Sequence, residues 1–455
     1  MFVNRESELA TLLGWWEQPG SSLALLWGRR RVGKTALLQT FSQKLPTVFH
    51  TAAGRPVADE LRLLSEAAAR VLDSGLRDLV GRPFVDWDDA LEFLASVAEE
   101  PLLLVLDEFP ELVARTSDLP GILRAFWDRA QNRTNLRVLL CGSAVRSMTA
   151  MQEERAPLYG RFDLALQLHP FRPHEAAQML TGLEAADRAL VFGLIGGMPL
   201  YLEWWDQDAS LHSNLLRLAA SPGGKLLTEG QLVLATEGDT GELSSLILRS
   251  IAAGRTRYGE IAQAVGAQPA RTLDRLIELG LVERLVPVTE REARTRRRVY
   301  RIADNFLAFW LGVLDRYRSA IERGLGSEVI PTLVSTLDDH MGERWESTFR
   351  AHLMRLATKG ELGANIVDVG RFWRDRPPTE IDAVVLAGRR REAVLVGEAK
   401  WARRANAGRI LRQLEEKAAA LPRRASNLRY AVAARESVSH SERVLAVTAK
   451  DIFGV

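Results

Sequence analysis

A doubly wound α/β first half, a mostly helical middle and a second, smaller α/β unit at the end make up the fold class that this sequence predicts. Three observations carry it. Up to about residue 170, short apolar runs alternate with amphipathic stretches, the pattern of buried parallel strands wrapped by helices. A glycine-bounded loop stands between the first such run and the helix that follows it. Near the carboxyl end, two strand-like runs carrying acids are joined by Gly388-Arg389-Arg390-Arg391.

The chain has 455 residues, 47% hydrophobic and 26% charged, which excludes a disordered or fibrous protein. At roughly 150 residues per domain, that length suggests about three domains. No apolar run approaches the ~20 residues that a bilayer span needs, and the opening MFVNRESELA has no signal core. A cytoplasmic protein with no membrane partner is expected. The one cysteine, Cys141, excludes an internal disulfide and a cysteine-cluster metal site. Sixty basic against 58 acidic residues leave a formal charge of +2, too small to name a nucleic-acid partner. Only seven of those 60 cations are lysine, so a retained lysine marks a position that needs a compact ammonium. Lys34 and Lys400 are two of the seven.

Leu23–Trp27, Leu102–Leu106 and Val138–Cys141 read as buried strands, with helices over Ala36–Lys44 and Asp59–Leu72. Gly28-Arg29-Arg30-Arg31-Val32-Gly33-Lys34-Thr35 fits G-x4-G-K-[ST] directly after the first strand and before a helix, the context that a phosphate loop requires. Glycines let the backbone curl so that successive N–H groups meet phosphate oxygens, and the helix N-terminus adds partial positive charge. Gly28, Arg31, Val32, Gly33 and Ala36 are then nucleotide contacts, Lys34 reaches the β- and γ-phosphates of ATP, and Thr35 ligates Mg²⁺. The strand Leu102–Leu106 ends in Asp107 and Glu108. Asp107 is placed to hold the Mg²⁺ shell and Glu108 to polarise an attacking water.

These residues resemble AAA+-like archaeal and bacterial ATPases of a group related to signal-transduction ATPases. Phe2-Val3-Asn4-Arg5-Glu6-Ser7-Glu8-Leu9 resembles that group's box preceding the phosphate loop, which lies against the nucleotide base, and Val138–Ser143 its sensor strand, with Ser143 near the γ-phosphate. Leu158–Phe162 resembles the segment supplying a phosphate-sensing arginine, here Arg161, often contributed in trans within an oligomer. Gly196-Gly197-Met198-Pro199 resembles the turn of the helical lid. The resemblance implies a P-loop core over residues 1–170 and a lid over 171–240.

Leu246–Ala253, Tyr258–Val265 and Pro269–Leu279 have the spacing of a helix-turn-helix, the third helix carrying Arg271, Thr272 and Arg275. A hairpin follows whose tip and return hold Arg291, Arg294, Arg296, Arg297, Arg298 and Arg301. Residues 241–305 thus read as a winged helix with a cationic wing for DNA phosphates. No aromatics alternate with those arginines, so base stacking is not indicated. A packing role is the alternative. Asp304–Trp310, opening a helical connector over 306–340, resembles a stretch of archaeal-type ATPases bearing a domain of unknown function, its aromatics read as core.

The last unit, 341–455, holds Ile381–Leu386 and Ala393–Trp401. Glu398 and Lys400 share one face of a strand, and hairpin pairing brings Asp382 beside them. Asp382 and Glu398 could hold Mg²⁺, or Mn²⁺, with Glu343 or Glu346 from a preceding helix adding a carboxylate. Lys400 could position a water and stabilise developing charge. This set resembles the PD-(D/E)xK nuclease core of the restriction-endonuclease-like fold, with Ile381 in place of the proline. Gln413 and Lys417 match its QxxxY helix only loosely. The expectation is an ATP-regulated, metal-dependent DNA nuclease; the alternative is a switch or sensor ATPase whose nuclease-like domain only binds.

Overall fold

The computed structural model describes residues 3–72, 77–131, 133–236 and 241–455. Phe2 of the opening box lies outside them, as do residues 237–240 at the expected end of the lid. The chain divides into two compact units, Met1–His169 and Pro170–Val455.

In the first unit, β1 (Ser22–Trp27), β2 (Thr47–Thr51), β3 (Leu102–Asp107), β4 (Leu136–Gly142) and β5 (Leu164–Gln167) form one sheet in the order β2-β3-β4-β1-β5. Every neighbouring pair is parallel. Residues of β1, β3 and β4 are buried throughout, as strands covered on both faces must be, which is why they read as unbroken apolar runs. β2 and β5 lie at the edges and are only partly buried, so their sequences carry no comparable signal. The carboxyl ends of β1, β3 and β4 all open on the same edge, where ligands of open α/β sheets bind.

In the second unit, helices Glu242–Ala252, Tyr258–Val265 and Ala270–Glu278 precede an antiparallel pair, β6 (Val282–Leu285) and β7 (Val299–Ile302). Phe306, Phe309 and Trp310 are fully buried, and the Trp310 indole N–H donates to the Leu227 carbonyl at 3.0 Å. They are core, as expected. In the Gly196-Gly197-Met198-Pro199 turn, a Cβ on Gly197 would run into the Phe171 backbone, and Pro199 opens the next helix.

The final sheet contains β8 (Ile366–Asp375), β9 (Pro378–Ala387) and β10 (Glu392–Lys400). The short pair β11 (Arg404–Ala405) and β13 (Ser437–Val438) flanks β12 (Arg424–Ala434) and β14 (Val444–Val447). The main order is β14-β12-β10-β9-β8, antiparallel over β8–β10 and parallel over β10, β12 and β14. The 22-residue helix Leu337–Thr358 covers one face, with Phe349 so close that a Cβ on Gly397 would meet it at 2.7 Å. Helix Ala407–Ala418 covers the other, its Ile410, Leu414 and Ala418 joining Val384, Val396 and Val432 in one core. Because Gly397 faces the long helix, Glu398 faces helix Ala407–Ala418.

Candidate functional site

The phosphate loop follows β1, and helix Lys34–Ser42 begins with Gly33 in the left-handed region at φ 95°. A Cβ on Gly28 would collide with the Leu168 carbonyl, whose own N–H bonds the Trp27 carbonyl at 2.7 Å. Arg31 is also left-handed, at φ 67°, a conformation that costs a side-chain-bearing residue roughly 1–2 kcal/mol and clusters at ligand sites. The Lys34 ammonium, 6% exposed, donates to the Gly28 and Arg29 carbonyls at 2.9 and 3.1 Å. It is folded over the loop that its charge would share with a phosphate.

Asp107, 1% exposed at the end of β3, accepts from the Thr35 hydroxyl at 3.0 Å. That pair joins the two halves of the motif across 72 residues of sequence. Glu108 is left-handed at φ 52°, and one of its carboxylate oxygens accepts from the Ser143 hydroxyl at 2.8 Å and the Ser143 N–H at 3.2 Å. Ser143 therefore aims the glutamate. Burial, and then the Asp107 charge, push the Cys141 thiol well above its usual range, so it is inert. Sequence reasoning missed Arg5 as a loop residue. Its buried guanidinium donates to the Val32 carbonyl at 3.2 Å and the His169 carbonyl at 2.7 Å, tying the opening box to the phosphate loop. Arg161 is held by Asp128 in a two-pronged ion pair at 2.8 and 3.0 Å.

In the second unit, Asp382 on β9 and Glu398 on β10 are 6% and 5% exposed. An Asp382 oxygen accepts from the Ala399 N–H at 2.9 Å. Lys400 and Lys417 each donate to one oxygen of Glu398, both at 2.8 Å. Of the two helical acids, Glu346 faces this cluster. Burial, then the charges of Glu346 and Glu398, push the Asp382 carboxyl up to about 6. Glu343 turns instead to Arg344 and Arg301. The Arg350 guanidinium donates to the Asp382 carbonyl at 2.7 Å, and burial pushes its pKa down to about 10.

Among the described residues, no group of three or more His, Cys, Asp or Glu side chains is arranged to hold a metal ion. Where Asp382 and Glu398 were expected to hold a divalent ion, with Glu346 adding a carboxylate, two ammonium groups meet Glu398. The donor chemistry still fits a hard divalent ion. One Glu346 oxygen is buried without a hydrogen-bond partner, with Arg350 at 3.8 Å, beyond hydrogen-bond reach, and Asp382 is crowded by like charge.

Residues 2–204 match a family described as an ATPase domain predominantly from Archaea. Residues 310–411 match DUF234, described as archaeal and bacterial proteins of unknown function. The chain joins an archaeal-type ATPase domain to a DUF234 domain. An uncharacterized protein of Methanocaldococcus jannaschii is 25% identical over 410 residues, 88% of each chain. An uncharacterized ATP-binding protein of the same organism is 51% identical over 41 residues, 9% of this chain and 70% of that one. A Walker-type ATPase of Pyrococcus abyssi matches in structure with TM-score 0.51 and 20% identity, over 68% of this chain and 96% of that one. The ATPase domain accordingly has the P-loop α/β fold. Among the described residues, no helix is long and apolar enough to cross a membrane.

The basic residues ahead of the DUF234 match divide by environment. Arg271 and Arg296 are exposed, and Arg275 is half-buried. Arg297 pairs with Glu290 at 3.0 Å, and Arg298 donates to the Glu292 carbonyl at 2.9 Å. Arg301, expected on the cationic wing, is corrected to a buried structural cation between Glu283 and Glu343, where the carboxylates outweigh burial and hold its pKa up. The hairpin also packs: Val288 donates its N–H to the Arg371 carbonyl at 2.9 Å and joins the core of the last sheet.

Proposed function

We propose that this protein is an ATP-driven, DNA-acting enzyme whose C-terminal domain cleaves phosphodiester bonds. The observation that carries the reading is the convergence of the nearly buried Asp382 and Glu398 with the exposed Lys400 on two paired central strands, backed by the crowding charge of Glu346. Helix, three antiparallel strands, helix, strand is also the order expected of a nuclease-like fold. ATP turnover belongs to Lys34, Thr35, Asp107 and Glu108, with Mg²⁺ held at Thr35 and Asp107. A divalent ion at the second site would supply Lewis-acid polarisation of a phosphoryl oxygen, with Asp382 and Glu398 holding it. The Lys400 ammonium, beside Glu398, is placed to orient a water and to offset charge developing on the phosphate. Helices Glu242–Ala252, Tyr258–Val265 and Ala270–Glu278 with β6 and β7 support a winged helix-turn-helix that presents Arg271, Arg275 and Arg296 to DNA.

The test is Mg²⁺- or Mn²⁺-dependent cutting of plasmid and linear DNA, with and without ATP. Cutting is expected to disappear in Asp382→Ala and in Lys400→Ala; cutting that persists in both overturns the reading. A second reading rests on the two lysines that occupy Glu398. In it the domain binds without cutting, and the ATPase is a switch. DNA that binds without cleavage, while accelerating ATP turnover, is the outcome that favours it.

A further inference from the structure

Two adjoining cavities, of about 940 and 720 Å³, lie where the turn between β6 and β7 meets the β8–β9 hairpin. Both are lined by Arg257, Arg297 and Asp375, so they form one trough. Its two acids are already engaged: Asp375 pairs with Arg257 at 2.8 Å, and Glu290 with Arg297 at 3.0 Å. Arg294, Arg296, Arg298, Arg374 and Arg376 also line the trough, and none makes an ion pair among the described residues. The Arg298 Nε is buried without a hydrogen-bond partner. Five guanidinium groups gathered without acidic partners of their own set up a positive potential that concentrates anions in the trough.

We propose that this trough is the track for the sugar–phosphate backbone of a DNA strand, with the β8–β9 hairpin supplying Arg374 and Arg376, two of its five cations outside ion pairs. The inference rests on the DNA-acting reading and deepens it, because the sequence marks only the wing and the third helix as DNA contacts. The uncompensated cations are spread over two cavities, which matches a chain of phosphates better than one small anion. Arginine's planar fork binds phosphate oxygens in pairs. Tyr258 and Trp373, both half-buried, line the same trough as the wing arginines. Together with Tyr300 of β7 they bring aromatic side chains to the trough, on which bases of a single strand can stack.

Full-length protein titrated into labelled DNA, as duplex and as single strands, across a salt series tests the proposal by fluorescence anisotropy. Arg374→Ala/Arg376→Ala is expected to weaken binding roughly tenfold and to reduce the slope of log affinity against log salt by about two. Arg376→Ala alone, at an exposed position, should remove about one unit of slope and serves if the double variant melts early. Wild-type binding with an unchanged slope in both variants overturns the trough and leaves the DNA-acting reading standing on the third helix. A wild-type protein that binds no DNA overturns both. ATP binding that survives Lys34→Ala but is lost with Arg374 and Arg376 makes this a free-nucleotide site and likewise overturns the proposal.

Discussion

Two acid pairs carried by strands of this molecule are held in opposite ways. Asp107 and Glu108 accept from the uncharged donors of Thr35 and Ser143, at 3.0 and 2.8 Å. Glu398 is met by two ammonium groups, and its neighbour Asp382 by one backbone N–H and two further carboxylates. Hydroxyl donors fix direction without cancelling charge, so the first pair keeps its full demand for a cation. Lysines cancel charge on the spot, so on the proposed reading a metal ion at the second site would have to displace one of them. The ATPase centre is poised as it stands; the C-terminal centre is guarded.

The strongest way to break that contrast is at the poised centre. Lys34→Ala removes a buried ammonium that donates to the Gly28 and Arg29 carbonyls of the loop. Saturable Mg-ATP binding by calorimetry, or turnover, is expected to fall by about a hundredfold or more, with little change in melting temperature. Wild-type-like turnover would remove the phosphate-loop assignment. Glu108→Gln comes next. The amide keeps an acceptor for Ser143 but cannot take a proton, so turnover should drop roughly 10²–10⁴-fold while ATP still binds. Equal losses of binding and turnover would make Glu108 a structural cap.

The legible parts of the sequence were those whose physics is local. The phosphate loop needs a tight glycine-bounded curl between a strand and a helix, and that is written in eight consecutive residues from Gly28 to Thr35. β1, β3 and β4 are buried on both faces and announce themselves as apolar runs, whereas β8 and β12, with exposed and arginine-bearing positions, do not. Asp382, Glu398 and Lys400 were legible because strand alternation and hairpin pairing fix their side. Lys417 was only a loose motif match, since its approach to Glu398 depends on how helix Ala407–Ala418 packs. Arg5, which reaches His169 across 164 residues, had no local signal at all.

At the guarded centre the charge state of Asp382 can be read from pH. Its folded pKa, raised by burial and neighbouring carboxylates to about 6, means the native protein binds the proton more tightly than the unfolded chain. Stability is therefore lost as pH rises from about 4 through 6, by about 3 kcal/mol at most. Asp382→Asn keeps an acceptor for the Ala399 N–H and abolishes the ionisation. With a chelator present, denaturant melts should show the variant more stable than wild type at pH 8 by about 1–3 kcal/mol and no gain at pH 4. A difference independent of pH would mean that Asp382 is not crowded by Glu346 and Glu398.

The smallest effect is also the one that decides whether the guard can be lifted. Lys417 is partly exposed and pairs with a nearly buried Glu398 that retains Lys400. Lys417→Met should therefore destabilise by only about 1 kcal/mol, less than the 3–5 that follows when a buried ion is left with no partner. The vacated carboxylate oxygen then has less positive charge nearby, and a divalent cation gains where the ammonium is lost. Millimolar Mn²⁺ is expected to raise the melting temperature of Lys417→Met more than that of wild type, in a Lys34→Ala background that silences the ATPase centre. Asp382→Asn should abolish the difference, because it removes the second carboxylate that a shared ion requires. If Mn²⁺ leaves both melts unmoved, lysines are the permanent partners of Glu398, and the metal-dependent cutting reading falls.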